Sequence, residues 1–260
     1  MDSAADPATD ELLRFACQLA DAARPIAREY FRRPLQVESK ADHSPVTIAD
    51  REIEQALRQV IEARYPDHGI LGEEFSARDG DQFTWVLDPI DGTRSFITGM
   101  PLFGTLIALL QHGRPIVGVV DFPALSERWT GVAGQATMYL GNVARTSDVA
   151  RLADASCYCT SPDMFSGQDS EKFERLSAQL GMRRFGGDCY AYALLASGHC
   201  DLVVEAGLQP YDYLSLVPVI EGAGGRISDW QGRELTRQSD GRVLAAANEN
   251  LWQAALSQLG

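Results

Sequence analysis

Long apolar runs are missing from this sequence. No uncharged apolar stretch reaches about 18 residues, the length at which a membrane span is read. The opening residues, MDSAADPATDELL, have neither the basic start nor the apolar core of a signal peptide, so none is expected. Positive charge is scarce: 23 Lys and Arg stand against 36 Asp and Glu, for a net charge of −13. Such a balance argues against nonspecific nucleic-acid binding and against a basic membrane-facing surface. The five cysteines are odd in number and lack zinc-ligand spacing, and the four histidines form no metal-binding pair at helical spacing. A secreted disulfide framework and a zinc site are therefore not expected. Buried free thiols in a reducing cytoplasm fit better, with Cys157 and Cys159 sharing one face of a strand. Repeats and low-complexity linkers are absent too. What remains is an ordinary globular composition, 45% hydrophobic and 23% charged over 260 residues, long enough to bury a substantial core.

The apolar pattern divides the chain into two rhythms. Leu12, Phe15, Leu19, Ala23, Ile26 and Tyr30 recur at helical spacing from Thr9 to Arg33, with Pro25 expected to kink or divide the helix. After the polar segment ESKADHSP, a second helix spans about Ile48 to Tyr65 with Ile53, Leu57, Val60 and Ile61 inward. Strands follow at Ile70–Leu71, Phe83–Leu87, Gly104–Gln111 and Pro115–Asp121, with shorter ones to about Val143. Beyond about Arg145, strand and helix alternate. Strands are expected at Ser156–Thr160, Arg183–Phe185, Leu202–Glu205 and Val243–Ala246. Helices are expected at Asp169–Leu180, Asp188–Ser197 and Tyr213–Glu221, with a last one closing the chain. Residues 1–144 read as an α+β half and residues 145–260 as an α/β half, packed closely.

One stretch carries unusual chemistry. In DPIDGTRSF, Asp88 and Asp91 follow an apolar strand that delivers them to a sheet edge, where α/β proteins place ligands. Pro89 is expected to turn the chain off the strand there. Two close carboxylates repel, and a hard divalent cation such as Mg²⁺ removes the conflict. Gly92-Thr93 reads as a helix start, with Thr93 capping and free N–H groups suited to phosphate. An ordinary Asp-Gly turn explains the same nonapeptide equally well. Other acids divide in the same way. Glu73 in GEE reaches the same edge or decorates a solvated turn. Asp50, ending SPVTIAD, serves the site or closes a capping box with Thr47. Asp212 faces the others across the junction or caps its helix.

Together, SPVTIAD, GEE, WVLDPIDGT and YDYLSLVPVIEGAGG, in this order from about residue 40 to about residue 225, resemble the signatures of the inositol monophosphatase family. The resemblance implies a layered αβαβα fold, usually a homodimer, with a Mg²⁺-dependent phosphatase site between the halves. It implies that Glu73, Asp88 and the Ile90 carbonyl hold a first ion, and that Asp88, Asp91 and Asp212 hold a second. Glu73 then helps hold a third, weaker ion through water. By the same resemblance, Asp50 and Thr93 orient the attacking water, and the Gly92 and Thr93 N–H groups cradle phosphate. The chemistry agrees: phosphate-monoester hydrolysis is exceptionally slow uncatalysed, and paired metals suit an in-line displacement without a Cys, Ser or His nucleophile.

The sequence departs from the inositol phosphatases themselves. Tyr211-Asp212-Tyr213 stands where they usually have Trp-Asp, and Arg94-Ser95-Phe96 where they often have Thr-Asn-Phe. RRFGGDCYAYALLASG and VVEAGLQPYDYLSLVPV resemble the histidinol-phosphatase branch instead. Histidinol phosphate carries an ammonium and an imidazole, for which Asp188 and Glu205 are fitting acceptors. Arg94 touches phosphate or orients an acid, and by resemblance Arg184 is a phosphate or substrate contact. Against these, Asp188 caps a helix, Glu205 pairs with an arginine, and Arg184 is a surface residue. Hydrolysis of histidinol phosphate is the leading expectation. A broader phosphatase of inositol, sugar or nucleotide monophosphates is the rival, and a catalytically silent metal- or phosphate-binding protein is the reading from another class.

Overall fold

The computed structural model describes residues 7–34, 37–39 and 45–260; most of ESKADHSP lies outside them. The chain opens with α1 (Pro7–Tyr30), the antiparallel pair β1 (Val37–Ser39) and β2 (Pro45–Thr47), and α2 (Ile48–Arg64). Seven strands then lie side by side in chain order: β3 (Gly69–Gly72), β4 (Phe83–Asp91), β5 (Gly104–Gln111), β6 (Arg114–Phe122), β7 (Glu127–Val132), β8 (Met138–Tyr139) and β9 (Asn142–Val143). The short α3 (Thr93–Ile97) joins β4 to β5. The rest comprises β10 (Ser156–Cys159), α4 (Gln168–Ser177), β11 (Met182–Phe185), α5 (Cys189–Ala196) and β12 (Leu202–Glu205). It continues through α6 (Pro210–Tyr213), α7 (Leu216–Gly222), β13 (Arg226–Ser228), β14 (Val243–Ala246) and α8 (Glu249–Leu259). Its five strands are ordered β11-β10-β12-β14-β13, with β10 parallel to both neighbours.

Period-two alternation builds the layers. On β4, Trp85 and Leu87 face α1 and α2, while Val86 faces the other way. The same parity sends Leu106, Ala108, Val120 and Phe122 onto α5, α6 and α7, whose far side meets Val203, Val243 and Ala245 of the second sheet. The opposite face of that sheet, with Cys157, Cys159, Leu202 and Val204, is covered by α4 and α8. This is the expected αβαβα stack, and each fully buried large side chain in it contributes roughly 1.5–3 kcal/mol. All five cysteines are unpaired, four of them buried. Among the described residues, no helix is long and apolar enough to cross a membrane.

Three expectations need correction. Pro25 does not divide α1: the buried Ala23 and Ala27 flank it, and Arg28 anchors the last turn to the Pro123 carbonyl at 2.6 Å. Val60 is exposed, and the buried face of α2 instead includes a carboxylate, Glu54. The Tyr213–Glu221 helix is split into α6 and α7, because Pro218 offers no N–H to the Leu214 carbonyl.

Candidate active site

Strand β4 does not stop at Leu87. It runs through Pro89 to Asp91, with a register shift against β5: Asp88 pairs with Leu106, and Asp91 with Gly104. Three steps on one strand thus match two on the other. A bulge of this kind tolerates the proline, which has no ladder N–H to give. It also changes parity. Residues three apart on a regular strand face opposite ways, whereas here both carboxylates turn toward the middle helices. Thr105 pins the bulge by donating its hydroxyl to the Pro89 carbonyl at 2.9 Å.

The third acid arrives from α6. Asp212 does not cap the helix as its alternative reading has it: Gln209 is the cap, and Asp212, in the first turn, accepts the Gln209 N–H at 2.7 Å. One oxygen each from Asp88, Asp91 and Asp212 lies within 4.8 Å of the others. Burial, then the charges of Glu73, Asp91 and Asp212, push the Asp88 carboxyl well above the usual range. Burial, then Asp188 and Asp212, do the same to Asp91, against the pull of the Cys189 N–H. That N–H, the first of α5, donates to Asp91 at 2.7 Å and brings a helix N-terminus to bear on the cluster. Asp88 Oδ1 is buried with no hydrogen-bond partner among the described residues, a cost of about 1–3 kcal/mol. All-oxygen donors, like charges in contact and an unsatisfied buried oxygen fit a hard divalent cation.

Asp50 sits on α2 and does close the capping box: Thr47 donates its N–H at 2.8 Å and its hydroxyl at 2.6 Å to Asp50 Oδ2. The other oxygen, Oδ1, is buried without a partner among the described residues. Burial first, and then Glu73, push its carboxyl up to about 6 although the Thr47 bonds oppose this. Thr93 is not the cap of α3. Gly92 is, at φ 81°, and Thr93 donates its hydroxyl to the Ile90 carbonyl at 3.1 Å. The left-handed turn at Gly92 brings its backbone against Asp188, so closely that a Cβ would lie 2.9 Å from the carboxylate.

Asp188 makes no capping bond to α5. Its carboxylate reaches across to the Ser95 hydroxyl at 2.6 Å, and its backbone is strained at φ 46°, ψ −139°, costing roughly 1–3 kcal/mol. Arg94 is exposed, with its charge acting on Asp188. Glu205 is paired with no arginine among the described residues. It accepts the Thr160 N–H at 2.9 Å, the Thr160 hydroxyl at 2.5 Å and the Tyr192 hydroxyl at 2.9 Å. Burial dominates those bonds and lifts its carboxyl to about 7. Asp91, Asp188, Glu205 and Asp212 line one cavity of about 90 Å³, with Met164 and Leu208 as apolar walls. Arg184 lies elsewhere, exposed on the edge strand β11. Ser95, Thr160, Tyr192 and the Cys189 N–H were not identified from sequence; nothing in local spacing marks partners 13 to 98 residues away.

The electrostatics set a pH dependence. Asp50 (about 6), Glu205 (about 7) and Asp212 (about 7, raised chiefly by burial) each hold a proton more tightly folded than unfolded. Between about pH 4 and pH 7 the folded chain therefore binds more protons, and stability falls as pH rises through that window. Thermal melts in EDTA should show Tm dropping from about pH 5 to about pH 8, with Mg²⁺ restoring most at the upper end. A flat or rising metal-free profile contradicts the cluster.

Comparison with known proteins gives this arrangement its class: a phosphatase from a metal-dependent group of enzymes. Residues 8–259 match the inositol monophosphatase family, and the chain belongs to it. The chain is 45% identical to the bifunctional phosphatase IMPL2, chloroplastic, of Arabidopsis thaliana, over 99% of this chain and 78% of that protein. It is 37% identical to a histidinol-phosphatase of Chlorobaculum parvum, over 95% of this chain and 96% of the relative. An inositol monophosphatase from Zymomonas mobilis superposes with a TM-score of 0.90 at 46% identity, covering 98% of this chain and 99% of that one.

Proposed function

We propose that this chain hydrolyses histidinol phosphate to histidinol and phosphate. The supporting observation is the cavity in which Asp188 and Glu205, two acids not assigned to metal, stand alongside Asp91 and Asp212. Polyol hydroxyls can donate to such carboxylates but leave their charge uncompensated. An ammonium or imidazolium neutralises both and offsets the burial that now raises them. Histidinol-phosphatases among the relatives support the same reading.

In this reading Glu73, Asp88 and the Ile90 carbonyl would hold one Mg²⁺, Asp88, Asp91 and Asp212 would hold a second, and Glu73 would help to hold a third. When bound, the ions acidify the attacking water and draw charge from the departing oxygen. Asp50 Oδ1, the open acceptor, receives a proton from that water. The Thr93 hydroxyl, already donating to Ile90, keeps lone pairs to orient it. The Gly92 and Thr93 N–H groups, at the start of a helix, donate to phosphate. Arg94, whose charge acts on Asp188, belongs with the phosphate or substrate contacts, whereas Arg184, exposed on β11, does not. A homodimer and a cytoplasmic setting complete the reading; sedimentation checks the first.

Phosphate release should be far faster from histidinol phosphate than from inositol-1-phosphate, sugar phosphates or nucleotide monophosphates. Asp188→Asn, a residue that tolerates the same backbone, should lower kcat/KM for histidinol phosphate about 10- to 100-fold, the scale of one charged hydrogen bond, and spare inositol-1-phosphate. Faster turnover of inositol-1-phosphate by the native chain sinks the substrate assignment. No hydrolysis of any ester favours a silent binding protein.

A further inference from the structure

Beneath the turn that carries Glu73 lies a buried carboxylate that catalysis does not use. Glu54 is one helical turn beyond Asp50 on α2 and has no exposure to solvent. Its Oε2 accepts the Glu74 N–H at 2.6 Å, and its Oε1 accepts the Phe75 N–H at 3.3 Å and Arg58 Nε at 2.7 Å. Arg58 also donates to the Phe75 carbonyl at 3.0 Å, with its guanidinium 5.7 Å from the Phe75 ring centre. On the near side of Glu73, a Cβ on Gly72 would lie 1.9 Å from Glu54 Oε1, so only glycine lets the strand rest on that carboxylate. Glu73 is thus gripped through both chain neighbours.

The grip matters because β3 is the edge strand of its sheet, paired among the described residues only with β4 apart from the isolated bridge between Ile70 and Arg78. The sheet ladder cannot hold the turn beyond Gly72. A metal ligand must stay within about 0.5 Å of its working position. Burying a carboxylate is costly unless charge and N–H donors surround it, and Glu54 is surrounded in this way. We infer that Glu54, braced by Arg58, is the positioning residue that holds Glu73 toward the metal edge, an inference that rests on the proposed metal role of Glu73.

The test is Mg²⁺ titration by isothermal calorimetry on the full chain, stripped with EDTA and held well below each variant's Tm. Glu54→Gln should raise the Mg²⁺ dissociation constant about 10-fold or more, the usual scale for losing support behind a metal ligand. Glu73→Gln should raise it at least as much, and the double variant no further than Glu73→Gln alone. If Glu73→Gln weakens binding but Glu54→Gln binds like the native chain at a lower Tm, Glu54 is merely structural and the inference fails. Losses that multiply in the double variant overturn it as well. A native constant in Glu73→Gln removes the metal role of Glu73 and the inference with it. Should Glu54→Gln not fold, Arg58→Lys keeps the charge and gives up the Phe75 bond: about 3-fold weaker binding supports the brace, and unchanged binding overturns it.

Discussion

Asp91→Asn should fold, melt higher than the native chain in EDTA, and lose at least about 10³-fold in phosphate-ester hydrolysis, or roughly 4 kcal/mol of transition-state stabilisation. The two halves of this result have one cause. Asp91 stands with Asp88 and Asp212 inside a 4.8 Å cluster, and burial there raises the cost of every charge. An amide removes one of the like charges while its oxygen still accepts the Cys189 N–H, so the metal-free fold loses a repulsion and keeps its bond. The same change strips a ligand from the site, so Mg²⁺ should raise the Tm of the variant much less than that of the native protein. Melts with EDTA and with Mg²⁺, beside phosphate-release rates, check all of this. Native-like rates would end the proposed role for the residue.

Asp50→Asn should cost about 10²- to 10⁴-fold in kcat, the range for removing a general base, with Mg²⁺ affinity close to native. The capping box explains why the fold should survive. Both Thr47 donors reach a single oxygen, Oδ2, and an asparagine can turn its carbonyl oxygen to them. Its NH₂ then replaces Oδ1, the buried oxygen without a protein partner. An acceptor becomes a donor where a water's proton was to go. Asp50→Ala additionally loses Asp50's half of the capping box with Thr47, about 1 kcal/mol, so comparing the two variants separates chemistry from stability. Unimpaired kcat in Asp50→Asn, measured by phosphate release at saturating Mg²⁺, would leave the open oxygen without a purpose.

Much of this protein is legible along the chain. The strands Gly104–Gln111, Leu202–Glu205 and Val243–Ala246 match their expected bounds, because apolar or β-branched runs bounded by turns report the two-residue period directly. The apolar pattern alone gives an α+β half followed by an α/β half; the layered αβαβα order is implied by the resemblance to the inositol monophosphatase family. Short-range chemistry draws attention to Asp88 and Asp91, two acids around a proline, though an ordinary turn explains them equally well. Asp50 and Asp212 have capping readings of their own, and all four are joined into one site only by the resemblance to the inositol monophosphatase family. Charge and length, too, are properties of the chain alone.

Other features became readable only once distant segments met. The bulge that turns Asp88 and Asp91 to one side exists only against β5. Asp188 reads as a substrate acceptor or a helix cap, but its partner Ser95, 93 residues away, cannot be read at all. Glu205 meets Thr160 and Tyr192, and Glu54 reaches the turn after β3; the one hint in the sequence was an acid on the apolar face of α2. The physical reason is common to all of them. A hydrophobic period is fixed by local backbone geometry, whereas the partner of a buried charge is chosen by whichever donors the packed layers bring to it, at any separation along the chain.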